Sequence, residues 1–442
     1  MRILFVSEYY QPKVMGGGEV NLAITAEALA RSGVDVSALT SGRDESAVEE
    51  INGVKIYRIL KTGEKPNTLW DNFQRFLFFP RSLEKEIKKI VQEIKPDAIH
   101  FQGTSVVVAS RIANLGIPLF ATVESYPALC PKGDRLYQGK KECTVRCSPL
   151  KFIHCQGKSS EIGKMKNSWY LKYNPLFLFL VYRQYKKLRT ALQYCTLIPI
   201  SAYVKKILEL HDLQSTEAVP NIILQQEKGK EDIKKGENNL EKEKDNPKEV
   251  ENTNTKRNTS ILYLGALISS KGPQILMEAL RGLPPDSYHS DFYGEGILKE
   301  ELQEFILKNN LNAEIHSPVP SEQVSLLYIS ADVVVVPSLW PEPFGRIPLE
   351  ALAVGTHVIA SDIGGIKETA MKSSVTLFNA GNVPELRLAL RQVFLQEKTT
   401  NSMKKTREIK IVKTKLLQKY EKNKVISCLL DVYTSSKRTK TH

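Results

Sequence analysis

Two glutamates, Glu342 and Glu350, stand in the stretch of the chain richest in groups that could do chemistry. It runs Pro337-Ser-Leu-Trp-Pro-Glu342-Pro-Phe344-Gly345-Arg346-Ile-Pro348-Leu-Glu350, passes Gly355, and ends Ser361-Asp362-Ile-Gly-Gly365-Ile-Lys-Glu368. Pro341 to Gly345 reads as a loop at the C-terminal end of a strand. Pro348 fits only the first turn of a helix, which places the helix start near Arg346. Free backbone donors at such a start can hold a diphosphate. Glu350, one turn further in, can accept two hydroxyl hydrogen bonds, as a ribose requires. Two acids at this spacing mean little alone; the glycines, prolines and buried strand around them raise the signal.

A second candidate is Gly16-Gly17-Gly18-Glu19, which follows the first strand and opens a helix. Glycines there let backbone N–H groups approach an anion, aided by the positive helix end. The G-x-G-x-x-G spacing of the dinucleotide fingerprint is absent, and a tight structural turn is the alternative. Four of the six cysteines cluster, at Cys130, Cys143, Cys147 and Cys155. In a cytosolic protein such a cluster suggests metal more than disulfides. Cys143 and Cys147 have usable ligand spacing, whereas Cys130 and Cys155 form no second close pair. A structural zinc on these four and free buried thiols are the two readings, the thiols being favoured. His100, inside an apolar strand, reads as a packed core histidine more than as a base.

The elements that must position these groups alternate. Arg2 to Ser7, Asp35 to Thr40, Val54 to Ile59, Asp97 to Gln102 and Pro118 to Val123 read as strands, with helical patterns such as Glu19 to Arg31 and Leu83 to Ile94 between them. Leu197 to Ser201 reads as the strand that closes this half. Residues 225–258 hold 9 basic and 9 acidic residues and almost nothing apolar, so they read as a disordered insertion. Alternation then restarts: Ile261 to Gly265, Asp291 to Gly294, Asp332 to Ser338 and His357 to Asp362 read as strands. Lys299 to Lys308, Arg346 to Ala353 and Val383 to Phe394 read as helices. The run from Asp332 to Pro337 lacks polar alternation, as a strand buried on both faces does. The fold class is therefore α/β: two doubly wound Rossmann-like domains in series, facing across a cleft, the usual ligand position in open parallel sheets. The expected bounds are 1–196 for the first domain, 197–407 for the second with 225–258 as its insertion, and 408–442 for a basic tail or helix, with a return to the first domain as one option.

The chain has 442 residues, 42% hydrophobic and 25% charged, ordinary for a globular protein of two or three domains. The opening residues read as a first strand and not a leader. The longest apolar run, Leu176 to Tyr182, is far short of the ~20 residues a spanning helix needs. A cytoplasmic location is expected, with the inner face of the cell membrane as a peripheral option. The net charge of +13 is uneven: residues 401–442 hold 12 Lys or Arg against 3 acids, and 164–190 hold 7 basic residues and no acid. Such patches attract phosphate-bearing partners or are simply solvated. Trp169 to Leu180, aromatic then apolar with basic residues following, reads either as an interfacial helix or, slightly favoured, as a helix of the first domain's core. No nucleic-acid-binding motif accompanies the charge, so no nucleic acid is expected as partner.

The constellation resembles the retaining glycosyltransferases of family 4, which have the GT-B architecture. Glu342 and Glu350 match that family's E-x7-E motif. Tyr9-Tyr10 with Gly17-Gly18-Glu19 resembles its donor-phosphate loop, and Ile200-Ser201 with Pro220-Asn221 resembles its serine strand and its turn before the second domain. Tyr263-Leu-Gly265 with Lys271-Gly272 resembles the start of that domain, and Tyr293-Gly294-Glu295-Gly296 its base-side loop. The resemblance implies that Glu350 binds the donor ribose, that Glu342 touches the sugar, and that Lys271 neutralises the departing diphosphate. Gly17, Gly18, Gly265, Gly294, Phe344, Gly345 and Arg346 are the further donor-binding positions that it marks.

Two departures stand out. The family usually has arginine directly after the glycine of G-R-x-x-x-x-K-G; here Ala266 stands there, and Arg346 is the candidate substitute cation. After the fifth strand relatives often read T-x-H-D-Y; here Thr122-Val-Glu124-Ser-Tyr126 puts Glu124 in the histidine's place, as a catalytic candidate able to bond a sugar hydroxyl but set to repel a diphosphate. A retaining transfer depends on leaving-group stabilisation more than on a strong base. No D-x-D loop is present, so neither a catalytic divalent cation nor a cofactor is expected. The partners implied are a UDP- or GDP-linked sugar donor, a glycan or lipid-linked acceptor, and a membrane surface as an option. The alternative to an active enzyme is a catalytically weak or inactive nucleotide-sugar-binding relative that supports another transferase.

Overall fold

The computed structural model describes residues 1–12, 16–42, 47–60, 79–139, 141–157, 174–223, 258–369, 375–396, 418 and 420–438. The expected insertion therefore lies, apart from residue 258, outside the described residues, as do residues 169–173 of the aromatic run and residues 408–417, 419 and 439–442 of the basic tail. The chain forms two compact units: one comprises Met1–Ile222, Trp340–Phe344 and Lys419–His442, the other Ile223–Leu339 and Gly345–Gln418.

The first unit is built on β1 (Arg2–Val6), β2 (Asp35–Ser41), β3 (Ala47–Ile51), β4 (Val54–Leu60), β5 (Ala98–Gln102), β6 (Leu119–Val123) and β9 (Thr196–Pro199), with a small ribbon of β7 (Leu136–Tyr137) and β8 (Lys141–Glu142). The large sheet has the order β3-β4-β2-β1-β5-β6-β9. Its pairs are parallel except β3 with β4. The central strands β1 and β5 are buried apart from Arg2 because helices cover both faces, and β5 carries His100 and Gln102 among its buried residues. β3 is the element the alternation misses. It is exposed through Glu50, and its antiparallel place at the edge gives it no apolar signature.

The first unit runs past the expected bound at 196 because β9 pairs with β6, carrying the chain on into this core as far as Val219 and Ile222. Helix Lys422–Arg438 inserts Val425, Ile426, Leu429 and Tyr433 into the same core, against Leu22, Ala26 and Leu29 of helix Gly17–Arg31. Helix Pro175–Leu192 buries Leu178, Tyr185, Leu188 and Leu192 while leaving Leu176 and Phe179 exposed, so it belongs to the packed layer of this unit. Among the described residues no helix is long and apolar enough to cross a membrane.

The second unit has a wholly parallel sheet, β12-β11-β10-β13-β14-β15, made of β10 (Thr259–Leu264), β11 (Tyr288–Tyr293), β12 (Ala313–His316), β13 (Val333–Val336), β14 (His357–Ser361) and β15 (Val375–Phe378). All four valines of β13 are buried, which is why this strand shows no alternation. Helices Pro273–Leu280, Lys299–Asn309, Ser321–Ser330, Arg346–Val354 and Val383–Gln396 supply the outer layers.

Candidate active site

In the second unit the marked residues collect at the C-terminal ends of β10, β11 and β13. The loops after β10 and β11 are bonded backbone to backbone: Gly265 N donates to Tyr293 O at 3.0 Å and Leu267 N to Glu295 O at 2.8 Å. A Cβ on Gly294 would fall 1.9 Å from the Gly265 carbonyl oxygen, so only glycine permits this approach. Ala266 lies within the paired segment, its carbonyl accepting from the Tyr263 hydroxyl at 2.8 Å. Lys271 ends a short 3-10 turn, followed by left-handed Gly272 at φ 76°. A Cβ on Gly272 would meet the Pro337 carbonyl oxygen at 1.9 Å, and Leu339 N donates to Ser270 O at 2.8 Å. The lysine turn is thereby locked to the end of β13.

Helix Arg346–Val354 begins after Gly345, whose φ of 84° turns the chain into it, and Pro348 occupies its first turn. Arg346 and Glu350 are one turn apart, so their side chains meet on one face. Arg346 Nε donates to Glu350 Oε1 at 2.5 Å, and the Tyr328 hydroxyl donates to Oε2 at 3.1 Å. Each carboxylate oxygen thus has a fixed partner and retains lone-pair capacity for a ligand hydroxyl. Burial, and then the Glu350 charge, hold the Tyr328 phenol well above its usual range, so it stays a donor. Nothing in the sequence signals Tyr328, which comes from a different helix, Ser321–Ser330.

Glu342 and Phe344 belong to the first unit, not to the second-domain segment in which their motif lies. Three side chains hold their loop there. The Tyr126 hydroxyl donates to Pro341 O at 2.6 Å, and the Ser201 hydroxyl donates to Pro343 O at 2.6 Å. Ser201 Oγ also accepts from Val204 N at 3.1 Å, capping helix Ala202–Leu210. Phe344 meets Tyr420 edge-on at 5.7 Å. The motif's position in sequence hides these anchors, because Tyr126 and Ser201 are distant from it along the chain.

Gly17 and Gly18 open helix Gly17–Arg31, with Gly16 preceding it in extended backbone. The backbone N–H groups of Gly16 and Glu19 point at the Glu19 carboxyl, so the chain places its own acid at this helix end; burial outweighs these bonds and raises its pKa. Glu124 follows β6 and lies so close to Gly18 that a Cβ on the glycine would fall 2.1 Å from Glu124 Oε1. Gln102 Nε2 donates to that oxygen and to Gly18 O, while Glu124 Oε2 is buried without a hydrogen-bond partner among the described residues. Burial, then the nearby Glu19 charge, push the Glu124 carboxyl up to about 8, against the opposing bond from Gln102. Near neutral pH this acid is mostly protonated. The expected repulsion of a diphosphate is correspondingly small.

His100 accepts or donates to the Tyr433 hydroxyl through Nδ1 at 2.5 Å and to Thr122 Oγ1 through Nε2 at 2.7 Å. Burial lowers it to about 3, so it is a neutral member of the core. Cys130, Cys143, Cys147 and Cys155 line one small cavity of the first unit. Among the described residues, the one group with three metal-type ligand atoms within 4.8 Å is Asp291, Glu314 and His316, which are partly to fully exposed.

The family model for Glycosyltransferase Family 4 matches residues 15–145, and that for Glycosyl transferases group 1 matches residues 243–409. An uncharacterized glycosyltransferase of Methanocaldococcus jannaschii is 27% identical over 384 residues, which cover 83% of this chain and 82% of that protein. Sucrose-phosphate synthase of Thermosynechococcus elongatus superposes with a TM-score of 0.71 at 17% identity, over 99% of each chain. The Anabaena protein HepE, crystallised with UDP, gives a TM-score of 0.63 at 17% identity, over 98% of this chain and all (100%) of that one.

Proposed function

The chain belongs to glycosyltransferase family 4 and has the GT-B fold, and from this premise we propose that it transfers a sugar from a nucleoside diphosphate donor with retention of configuration. The observation that carries the donor half of this reading is Glu350, held by Arg346 and Tyr328 behind the start of helix Arg346–Val354. A carboxylate fixed in this way suits two ribose hydroxyls. Lys271 is the cation for the departing diphosphate, and Arg346 takes the part of the arginine that Ala266 replaces. Stabilising charge on the leaving group is the largest single contribution such a site can make. Gly265 and Gly294 keep the base-side loops low enough for a nucleoside, and Gly345 turns the chain into the helix start.

Glu342 then touches the sugar, with Phe344 anchoring its loop, and Gly17 and Gly18 meet the donor phosphates once Glu19 gives way. Glu124, largely neutral near pH 7, serves as a hydrogen-bond partner for a sugar hydroxyl. The structures of HepE with UDP and with UDP-glucose support a uridine donor as the first to try. The acceptor is a glycan or a lipid-linked glycan, and the basic stretches support one close to a membrane surface.

A second reading is a nucleotide-sugar-binding relative of low activity. Ala266 and the Glu19 carboxylate, which faces the helix donors, favour it. The two readings separate when the protein is incubated with UDP- and GDP-sugars and free nucleotide is followed. Slow release that vanishes in Glu350→Ala supports the enzyme; tight binding without release, whatever the acceptor, supports the binding protein.

A further inference from the structure

The four clustered cysteines are not used by the transfer reading, and the fold collects them. Cys130 lies in the turn after Tyr126, Cys143 just after β8, Cys147 in the next loop, and Cys155 in helix Pro149–Gly157. All four line one cavity of about 20 Å³, floored by Leu136 and Phe152. That volume holds one water-sized body and little else.

Two features separate this cluster from packed thiols. The backbone is arranged around the sulfurs: the N–H groups of Lys132 and Arg135 point at Cys130 Sγ, and Gln138 N donates to Cys155 Sγ at 3.2 Å. Amides aimed at sulfur are the outer contacts that orient a metal-binding thiolate. The turn Cys130-Pro-Lys-Gly133 closes with Gly133 N donating to Cys130 O at 2.9 Å, a tight knuckle around the first sulfur. In addition, residues 130–157 carry little regular structure, and side chains such as Arg135, bonded to His211 and to Cys143 O, and buried Phe152 do much of the holding. Their ribbon consists of two strands of two residues each, and only Cys155 among the four cysteines is fully buried. Segments this short commonly rely on a metal or a disulfide. Cations are also at hand: Lys132, Arg135 and Lys151 line the cavity, offsetting the charge of four thiolates on a divalent ion.

We propose that Cys130, Cys143, Cys147 and Cys155 are the four ligands of a structural zinc ion. Tetrahedral closure needs Zn–S distances of about 2.3 Å and hence sulfurs about 3.8 Å apart. Here no three of the sulfurs lie within 4.8 Å of one another, and Cys143 Sγ and Cys147 Sγ face the carbonyls of Val145 and Ser148 at 3.6 Å each. Binding therefore draws these two side chains inward. The ion braces the turn whose first bonds run from Leu129 N and Cys130 N to Tyr126 O, at 2.8 and 2.7 Å. Tyr126 in turn holds Pro341, so the site steadies the Glu342 loop without touching substrate.

The test is metal analysis of the full chain purified without added zinc, joined to cobalt substitution. About one zinc per chain is expected, with the thiolate charge-transfer and intense d–d bands of tetrahedral cobalt after exchange. Cys130→Ser and Cys147→Ser should each reduce bound zinc to about a tenth or less, whereas Cys195→Ser and Cys428→Ser should leave it unchanged. The cobalt spectrum of the unsubstituted chain decides the matter even if the serine variants do not fold. A folded chain that carries under about a tenth of a zinc and takes up no cobalt overturns the proposal, as do disulfides among the four sulfurs.

Discussion

The Tyr126 hydroxyl donates to the Pro341 carbonyl across 2.6 Å, joining residues 215 positions apart. Burial holds this phenol well above its ordinary range, so it remains a donor at any working pH. Tyr126→Phe leaves a buried carbonyl without its partner, at a cost of about 1–3 kcal/mol. Urea denaturation should show that loss. Nucleotide release should fall about tenfold or more, because Glu342 follows Pro341 directly and small misplacements are costly. Unchanged release in a destabilised variant would remove the link between this bond and the reaction.

Glu124 makes stability depend on pH. Its carboxyl ionises near 4.5 when unfolded and near 8 when folded, so between these values the folded chain holds the extra proton. The contribution is present below pH 4.5 and is lost as pH rises through 8. At about 1.4 kcal/mol per unit, the loss amounts to a few kcal/mol. Glu124→Gln should flatten this slope, with its gain over the unsubstituted protein largest above pH 8. Parallel melting curves of the two proteins across pH 5–9 would contradict the assignment.

Tyr328→Phe removes one of the two partners of Glu350 and nothing else from the donor half. Donor affinity should weaken by about fivefold, the worth of roughly 1 kcal/mol, as read by calorimetry with UDP or GDP. An unaltered affinity would mean that Glu350 does not need this partner to bind.

Arg346 is paired with Glu350, and both side chains are about a quarter exposed, 26% and 23%. Arg346→Ala should therefore cost less than about 1 kcal/mol of stability. If Arg346 stands in for the arginine that Ala266 replaces, turnover should fall about a hundredfold. Turnover and donor binding that both stay level would end that role.

Tyr433 carries the C-terminal helix into the first core, edge-on to Phe120 at 4.8 Å and bonded to His100. Tyr433→Ala empties a buried ring position and should cost about 3–5 kcal/mol. Because His100 is held near 3 by burial, the unsubstituted fold already weakens as pH falls below 6.5, and the variant should unfold at higher pH on acidification. A variant with unchanged melting would show that the helix adds nothing to this core.

Strand and helix alternation made both sheets legible, since buried parallel strands such as Val333–Val336 leave continuous apolar runs. The edge strands were harder. Ala47–Ile51, with four of its five residues exposed, carries no pattern to read. Pro348 disclosed where its helix begins, because proline tolerates so few positions. The partners of that helix were invisible, as Tyr328 reaches Glu350 through tertiary packing alone. So was the protonation of Glu124, which depends on an enclosure built by Gly18 and Gln102. Residue types announce what chemistry is available; which of them share an enclosure is settled by topology.

The first unit is drawn from three separated stretches of chain, the last of them Lys419–His442. During synthesis its core must wait, unsealed, while the whole second unit emerges from the ribosome. Only the final helix brings Val425, Ile426, Leu429 and Tyr433 to finish it. A stop codon a few dozen residues early would look on paper like the trimming of a basic tail. To the folding chain it would be the loss of the keystone of the half that was made first.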